Sequence, residues 1–472
     1  MKKFFKVLGV IFGILIGIYI ILDITFSIQL KNKIAELKAQ GRPITIAEII
    51  PPPVPDEENA AILYNKVFAL MKYEEGNNLK KLSTIEKELK SLYDISQWTD
   101  EQRKEIPKLV NSEELQEIYF LLEEGSQKSK CRFNLEYEKG AETELRHLSK
   151  MRAVTRLFCV KAVLEAESGN VGKAFDTILI GLRISNHLKD EPIQISQLLR
   201  VSCDGMIIEC IKNIAESKNI SLEQANMIIS ELSIRKDIKP FIKGEDNQRI
   251  LGIWFFQDML HNKIPLSVLF AFDNWYFPRK VKIISSLILP IYKPLLKKDF
   301  LFYLTLESQV QDSFNLPYYE FVKNNPIEKG IPMYYRISLY FFRGEQLPDP
   351  YNMILRRIAR HQANIEVCKT GLALKIYKEE NGTYPETLDF LSEFPIDPFS
   401  GKKLIYKKIA DSFILYSLGP NMEDDGGISQ MEKIIQLQSL QEPIKTPDGR
   451  SLKPQVHPNS AKDYDIVWKC EK

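Results

Sequence analysis

Histidine is scarce: the chain has five in 472 residues, His147, His187, His261, His361 and His457. None forms HExxH, HxH or another metal-spaced pair, so the sequence carries no zincin-type signature. His361 is expected on the surface of a long helix, with no catalytic partner. The six cysteines, Cys131, Cys159, Cys203, Cys210, Cys368 and Cys470, include no CxxC. That argues against a zinc knuckle or a thioredoxin-like redox motif. Four of them fall in apolar helical patterns, where a free thiol packs as a small hydrophobe. A disulfide is open to the chain outside the cytoplasm, but the spacing assigns no pair. An excess of one charge is lacking too. Against 64 basic residues stand 62 acidic ones, a net +2, which gives no global reason to expect a nucleic-acid partner. There is no P-loop, no G-x-G-x-x-G and no G-x-S-x-G, so the usual marks of nucleotide binding and serine hydrolysis are missing. Acidic pairs such as Glu57-Glu58 and Glu379-Glu380 lie in helical segments whose solvated faces account for them. No catalytic residue is assigned; a site assembled from distant residues is invisible to motif reading.

Clean apolar runs are few, and one stands out. After the basic start Met1–Lys6, Val7 to Leu22 carries no charge, and apolar character continues past Asp23 to Ile28. Those 22 residues make a helix of about 33 Å, enough to span a bilayer. The basic start favours a cytoplasmic N-terminus. A cleaved signal peptide is the competing reading, with Thr25-Phe26-Ser27 as its weak site; the length of the run favours an uncleaved anchor. No lipoprotein-type cysteine follows the run.

The chain length leaves room for two or three domains, and a 44% hydrophobic content suits an ordered core. Lys31–Gln40 reads as a polar continuation of the first helix. Pro51-Pro52-Pro53-Val54-Pro55 reads as extended polyproline II, a stiff spacer. Asp56 is the expected N-cap of a helix from Glu57 to about Tyr73. Surface helices are expected at Glu86–Leu92 and Ser112–Glu124. Arg146–Ser168 and Val171–Leu188 form a strongly periodic hairpin broken at Gly169-Asn170. Further helices follow at Ile195–Ser217, from the capping pattern at Ser221 to Ser233, and at Gln248–Asn262. Leu266–Leu306 is apolar and aromatic but is interrupted by Pro278, Pro290, Pro294 and several lysines. No window in it supplies the ~20 clean residues of a spanning helix. Packing on the helical core is expected there, with a membrane-surface role as the alternative. Pro348-Asp349-Pro350 marks a domain junction.

The C-terminal stretch Gly371–Gly427 is the most informative part. A helix over Tyr351–Glu380 ends at the Asn381-Gly382 turn. Pro385 is expected to open a short helical turn, and Asp397–Gly401 makes another turn. Strands are expected at Leu404–Lys407 and Phe413–Ser417, followed by the acidic glycine loop Gly419–Gly427. Met431–Glu442 is expected as a helix, Pro443–Asn459 as loop and Tyr464–Lys469 as the last strand.

This order resembles the globular part of the major pseudopilin of type II secretion systems. The residues that carry the likeness are Leu374–Tyr377, Asn381-Gly382, Tyr384-Pro385, Asp397-Pro398, Gly401, Tyr406, Tyr416–Gly419 and Asp463–Trp468. The same C-terminal pattern occurs in large membrane-anchored bacterial envelope proteins, and Pro51–Phe68 is similar to their membrane-proximal start. A pilin-type processing site, Gly before the apolar run with Glu five residues into it, is not in the sequence. The resemblance implies an α+β, mostly α chain. Its parts are a transmembrane helix, a helical-bundle domain, and a long helix packed on a small antiparallel sheet. The expected divisions are 1–30, start and anchor; 31–58, an extracytoplasmic linker with the Pro-rich spacer; 59–350, the helical domain; and 351–472, the pseudopilin-like domain. The resemblance also implies a calcium ion (Ca2+) in the acidic loop, because major pseudopilins bind calcium there. Asn421, Glu423, Asp424 and Asp425 would supply oxygens, with Asp463 and Asp465 closing the site from the last strand. A solvated acidic turn is the other reading of the same residues.

Three functional readings follow. The first is a single-pass protein of the inner (cytoplasmic) membrane, its bulk periplasmic or otherwise extracytoplasmic, with a non-enzymatic structural or interaction role in the cell envelope. The second is an accessory component of a type II secretion or pilus-like assembly. The third is an envelope hydrolase with its site in the helical domain. The implied partners are the lipid bilayer, through the N-terminal helix, and envelope or secretion proteins.

Overall fold

The first helix, α1 (Lys2–Ala39), is unbroken over 38 residues. It is long and apolar enough to cross a membrane. Its apolar side chains from Phe4 to Ile28 are largely exposed, whereas Leu37 is wholly buried. Between these extremes a half-buried stripe of Tyr19, Asp23, Phe26, Ser27, Leu30 and Ile34 follows the three- and four-residue helical step. This computed structural model describes residues 2–71, 95, 98–263, 279–324, 350–429, 432, 444–445, 451–452 and 464–470. The expectations at Glu86–Leu92, at Leu266–Pro278, at the junction before Pro350 and over most of Met431–Glu442 lie outside them, as does Asp463.

The chain after α1 lies against the folded mass. Arg42 donates to Ser308 Oγ at 2.9 Å and pairs with Asp312. Pro43 O accepts from Arg249, and Pro51 O from Arg132 Nε at 3.0 Å. Helix α2 (Ala60–Leu70) is capped by Asn59, whose side chain accepts from the Ala61 N–H. The expected cap, Asp56, instead sits in a 3-10 turn, Asp56–Glu58. Tertiary structure decides this: Asn59 also accepts from Arg132 N at 2.8 Å and donates to Arg132 O at 3.1 Å.

The helical mass continues with α3 (Asp100–Val110), α4 (Glu113–Ser126), α5 (Arg146–Glu167), α6 (Val171–Asn186), α7 (Gln194–Ser217) and α8 (Leu222–Ser233). Ser221 Oγ caps α8 by accepting from Gln224 N. Helix α9 (Lys239–Leu260) begins well before the expected Gln248. Its first half carries Glu245, Asp246 and Asn247, which are buried. Gln194 donates to Glu245, and Asp246 accepts from Arg249 and Gln311. Helix α10 (Arg279–Ser313) runs straight through Pro290 and Pro294, correcting the expected interruption. Prolines cost a helix hydrogen bonds and are tolerated where packing outweighs the loss. Helices α11 (Tyr318–Asn324) and α12 (Pro350–Asn381) complete the set.

Three antiparallel strands, β1 (Ile405–Ile409), β2 (Ser412–Ser417) and β5 (Ile466–Cys470), form a sheet in the order β1-β2-β5. Leu415 faces Trp468 and Ser417 faces Ile466 across β2 and β5. On β5 the alternate residues Ile466, Trp468 and Cys470 point inward onto α12. The indole sits directly over Gly371, where any Cβ would run into its ring. A short pair, β3 (Ile444–Lys445) and β4 (Ser451–Leu452), occupies part of the stretch expected as loop. The helical turn expected at Pro385 is absent: residues 385–394 form bends and a turn. Tyr406 Oη donates to Pro385 O at 2.7 Å, taking the carbonyl a helix would have used.

One hydrophobic core runs from Cys159 on α5 through α6, α7, α8 and α12 to Trp468 and Cys470 on β5. The long helix is therefore common to the bundle and the sheet. A second core gathers α2, α3, α4 and the start of α5. A third joins Leu37 of α1 to Phe256 of α9 and Phe300 of α10.

Candidate functional site

The acidic loop leaves β2 over a buried carboxylate. Asp397 accepts from Phe399 N, Ser400 Oγ and Ser417 Oγ at 3.0, 2.8 and 2.7 Å, and from Leu418 N at 3.3 Å. It thus fastens the Asp397–Gly401 turn to the end of β2. Gly419 then crosses the last strand with φ +67°, its α-carbon against Tyr464 O, where a side chain has no room.

Beyond that crossing the candidate ligands gather only in part. Asp424 Oδ1 accepts from Tyr416 Oη at 2.8 Å and from Gly426 N at 2.9 Å, which holds its carboxyl below the usual range. Asp425 Oδ2 accepts from Asn421 Nδ2 at 2.8 Å. Glu423 is exposed, with its backbone N–H on Asn421 Oδ1. Asp465 is 3% exposed and accepts from Gly427 N at 2.8 Å through Oδ2. Its other oxygen, Oδ1, is buried without a partner. Burial pushes the Asp465 carboxyl up to about 6, and the nearby Asp425 and Asp424 add to the rise. Among the described residues, no three Asp, Glu, His or Cys side chains converge closely enough to hold a metal as they stand. The donor chemistry nonetheless suits a hard cation. One Asp465 oxygen has no hydrogen bond, the charges of Asp425 and Asp424 act on its carboxyl, and a calcium ion would supply the missing partner.

A second constellation was not foreseen. Asp204 on α7 is wholly buried and surrounded by Arg200 of the same helix, Arg235 in the 3-10 turn Ile234–Lys236, and His361 on α12. Ser185 on α6 donates to Asp204 Oδ1 at 2.6 Å. Arg200 and Arg235 stand 3.9 and 3.8 Å from the carboxylate, and His361 Nε2 stands 3.6 Å away. These separations exceed a direct hydrogen bond. Asp204 Oδ2, Arg200 Nη2, Arg235 Nε and Nη1, and His361 Nε2 all lack protein partners. His361 is thus no surface histidine. Burial and the two guanidinium groups lower it to about 4, against the opposing pull of Asp204. The helical spacing from Arg200 to Asp204 was visible in the sequence, but it is equally the mark of an exposed ion pair.

The other buried histidines are also committed. Tyr64 Oη bonds His187 Nδ1 at 2.7 Å, and His187 Nε2 meets Lys128 O at 3.0 Å. The ring therefore donates from Nε2, accepts at Nδ1 and stays neutral; burial lowers it to about 4. His147 Nε2 lies 3.0 Å from Glu191, which also accepts from Ser196 Oγ. The carboxylate stands between serine and histidine here, so the imidazole has no hold on the hydroxyl proton. That order is wrong for a nucleophile and its base. A cleft of about 390 Å³ opens beside α12, with Lys236 and Glu366 paired at 2.8 Å in an otherwise largely apolar lining. Comparison of the chain with protein-family models, with curated proteins and with solved structures found no match.

Proposed function

We propose that the chain is a membrane-anchored extracytoplasmic protein with a structural or interaction role in the cell envelope. The observation that carries this reading is the unbroken passage of α1 from its exposed apolar run into the folded mass. Leu37, near its end, is packed against α9 and α10. A helix held in this way fixes the domain at a set distance and orientation from the bilayer, without a hinge. The basic residues before the apolar run set the domain outside the cytoplasm. The enclosed polar groups favour support over catalysis: His147, His187 and His361 lie among neighbouring polar groups rather than aimed into a cleft. Alkaline extraction of membranes is expected to leave the full chain in the pellet. Protease added to spheroplasts is expected to digest the helical mass that follows α1. A soluble chain, or one protected from protease, would overturn the reading.

Within this role, the acidic loop holds a calcium ion that ties it to the last strand. Asp424, Asp425 and Asp465 supply carboxylate oxygens and Asn421 an amide oxygen, so the ion is structural. Ligand bound only by the native state raises stability by RT ln(1 + [L]/Kd), about 2.7 kcal/mol at a hundredfold excess over Kd. The detergent-solubilised chain is expected to melt higher in calcium than in magnesium or EDTA. Asp424→Ala combined with Asp425→Ala is expected to abolish the difference. Superimposable melting curves in all three conditions would remove the ion from the account.

A further inference from the structure

The register between α1 and α10 leads to a second membrane-embedded element. Lys297 on α10 donates to Asp23 Oδ1 at 2.6 Å and to Ser27 Oγ at 2.8 Å. Further on, Leu37 packs with Phe300 and Leu304, and Arg42 reaches Ser308 and Asp312. Contact positions rise together on both partners, so the two helices run parallel. Asp23 closes the charge-free run of α1, which places Lys297 at the outer edge of whatever apolar layer that run occupies. Moving back from Lys297 toward the start of α10 therefore follows α1 into that layer. Arg279 lies about 27 Å along the helix axis from Lys297, close to the depth of a hydrocarbon core.

We propose that the first half of α10, from Arg279 to Leu296, is embedded in the lipid bilayer beside α1, so that two parallel helices hold the protein in the membrane. This rests on reading α1 as the anchor. The sequence of that half suits the position. Ile283 to Tyr292 carries no charge, and Arg279, Lys280 and Lys282 precede it as Lys2, Lys3 and Lys6 precede the apolar run of α1. Lys293 lies near enough to the outer edge to extend its amine to water. Prolines at 290 and 294 are acceptable in a membrane helix with a neighbour alongside. The occupant of the outer face is argued from continuity. Ile291 and Leu295 are exposed one helical turn apart, Ile291 at 74%, and they extend the bare apolar surface of α1. The Lys297–Asp23 pair would mark the boundary, where both charges meet and water is within reach.

The test uses the full chain in phospholipid vesicles, with Cys131→Ser removing the half-buried thiol and single nitroxide labels placed by cysteine substitution. Ile291→Cys and Leu295→Cys are compared with Phe12→Cys on α1 and with Phe120→Cys, an exposed position on α4. The expected result is loss of broadening by a water-soluble nickel chelate at Ile291→Cys, with strong relaxation by oxygen, as at Phe12→Cys. Leu295→Cys should read shallower than Ile291→Cys. If Ile291→Cys behaves like Phe120→Cys while Phe12→Cys reads as lipid, the embedded half of α10 is overturned and the anchor stands. If Phe12→Cys is also open to nickel, both fall. Low access to both reagents with spin–spin broadening would mean that a second copy covers the face, which overturns the proposal as well.

Discussion

Asp204→Ala is expected to destabilise the protein by about 3–5 kcal/mol, because it removes the buried carboxylate that two buried guanidinium groups share. Arg200 and Arg235 are each only 1% exposed. Neither can reach water by a change of rotamer alone. Arg235 keeps a bond to Leu182 O and a 3.6 Å approach to Glu231, and Arg200 keeps Gln197 Oε1 at 3.0 Å. Those contacts leave Arg200 Nη2 and Arg235 Nε and Nη1 without partners, and the two positive charges still act on one another. Urea unfolding of the detergent-solubilised chain, followed by tryptophan fluorescence, gives the magnitude. Asp204→Leu with Arg200→Met, which removes opposite charges together, is expected to cost less than Asp204→Ala alone. A change within about 0.5 kcal/mol for Asp204→Ala would mean that the cluster is hydrated and its charges screened.

Two enclosed histidines are expected to draw stability out of the fold as acid is added. His187 and His361 are both lowered from 6.5 to about 4 in the native protein. The unfolded chain therefore takes up protons first as pH falls. Their contribution is complete above the unfolded value and is lost progressively as pH drops from 6.5 toward 4. Each histidine contributes on the order of 3 kcal/mol over the full interval. Between about pH 7 and about pH 5 the two together should remove roughly 4 kcal/mol. Asp299 and Asp465, both raised to about 6 by burial, act in the opposite sense and return roughly 3 kcal/mol, because the native protein protonates them first. The histidine contribution is therefore read from a variant: the unfolding free energy of the wild type, relative to His187→Gln, should fall by roughly 2 kcal/mol from about pH 7 to about pH 5. A difference that does not change with pH would show that the His187 ring is protonated, or hydrated, in the native state.

Much of the helical architecture was legible because apolar side chains at three- and four-residue steps survive as buried stripes. The hairpin of α5 and α6 and the Ser221 cap of α8 are instances. The strands β1, β2 and β5 were legible from short apolar runs between turn residues. What failed has a common cause: sequence reading treats charge as a mark of solvent. Glu245, Asp246, Arg235 and His361 are polar letters with buried side chains, and partners such as Gln194, Gln311, Leu182 and Asp204 lie far away along the chain. The start of α9 and the Asp204 cluster were missed for that reason. The passage of α10 through two prolines was missed because local propensity was set against packing that only the tertiary fold supplies. In the acidic loop, the resemblance implied a cation and the residue types were compatible with one. The sequence could not tell that Asp465 leaves one oxygen bare, or that Asp424 spends its own on Tyr416.

The joint core of the bundle and the last strand also sets an order of events during synthesis. Lys212 on α7 donates to Val467 O at 3.2 Å, and Trp468 covers Gly371 of α12. The middle of the protein therefore cannot close until residue 470 has left the ribosome. By then α1 has long since emerged, and at about 5–20 residues per second the interval is roughly 20–90 s. Throughout it the nascent chain would be tethered by its first helix while the apolar faces of α7 and α12 wait for β5. A truncation ahead of β5 would leave those faces bare at the membrane, where quality-control proteases meet them as degradation signals rather than as a finished surface.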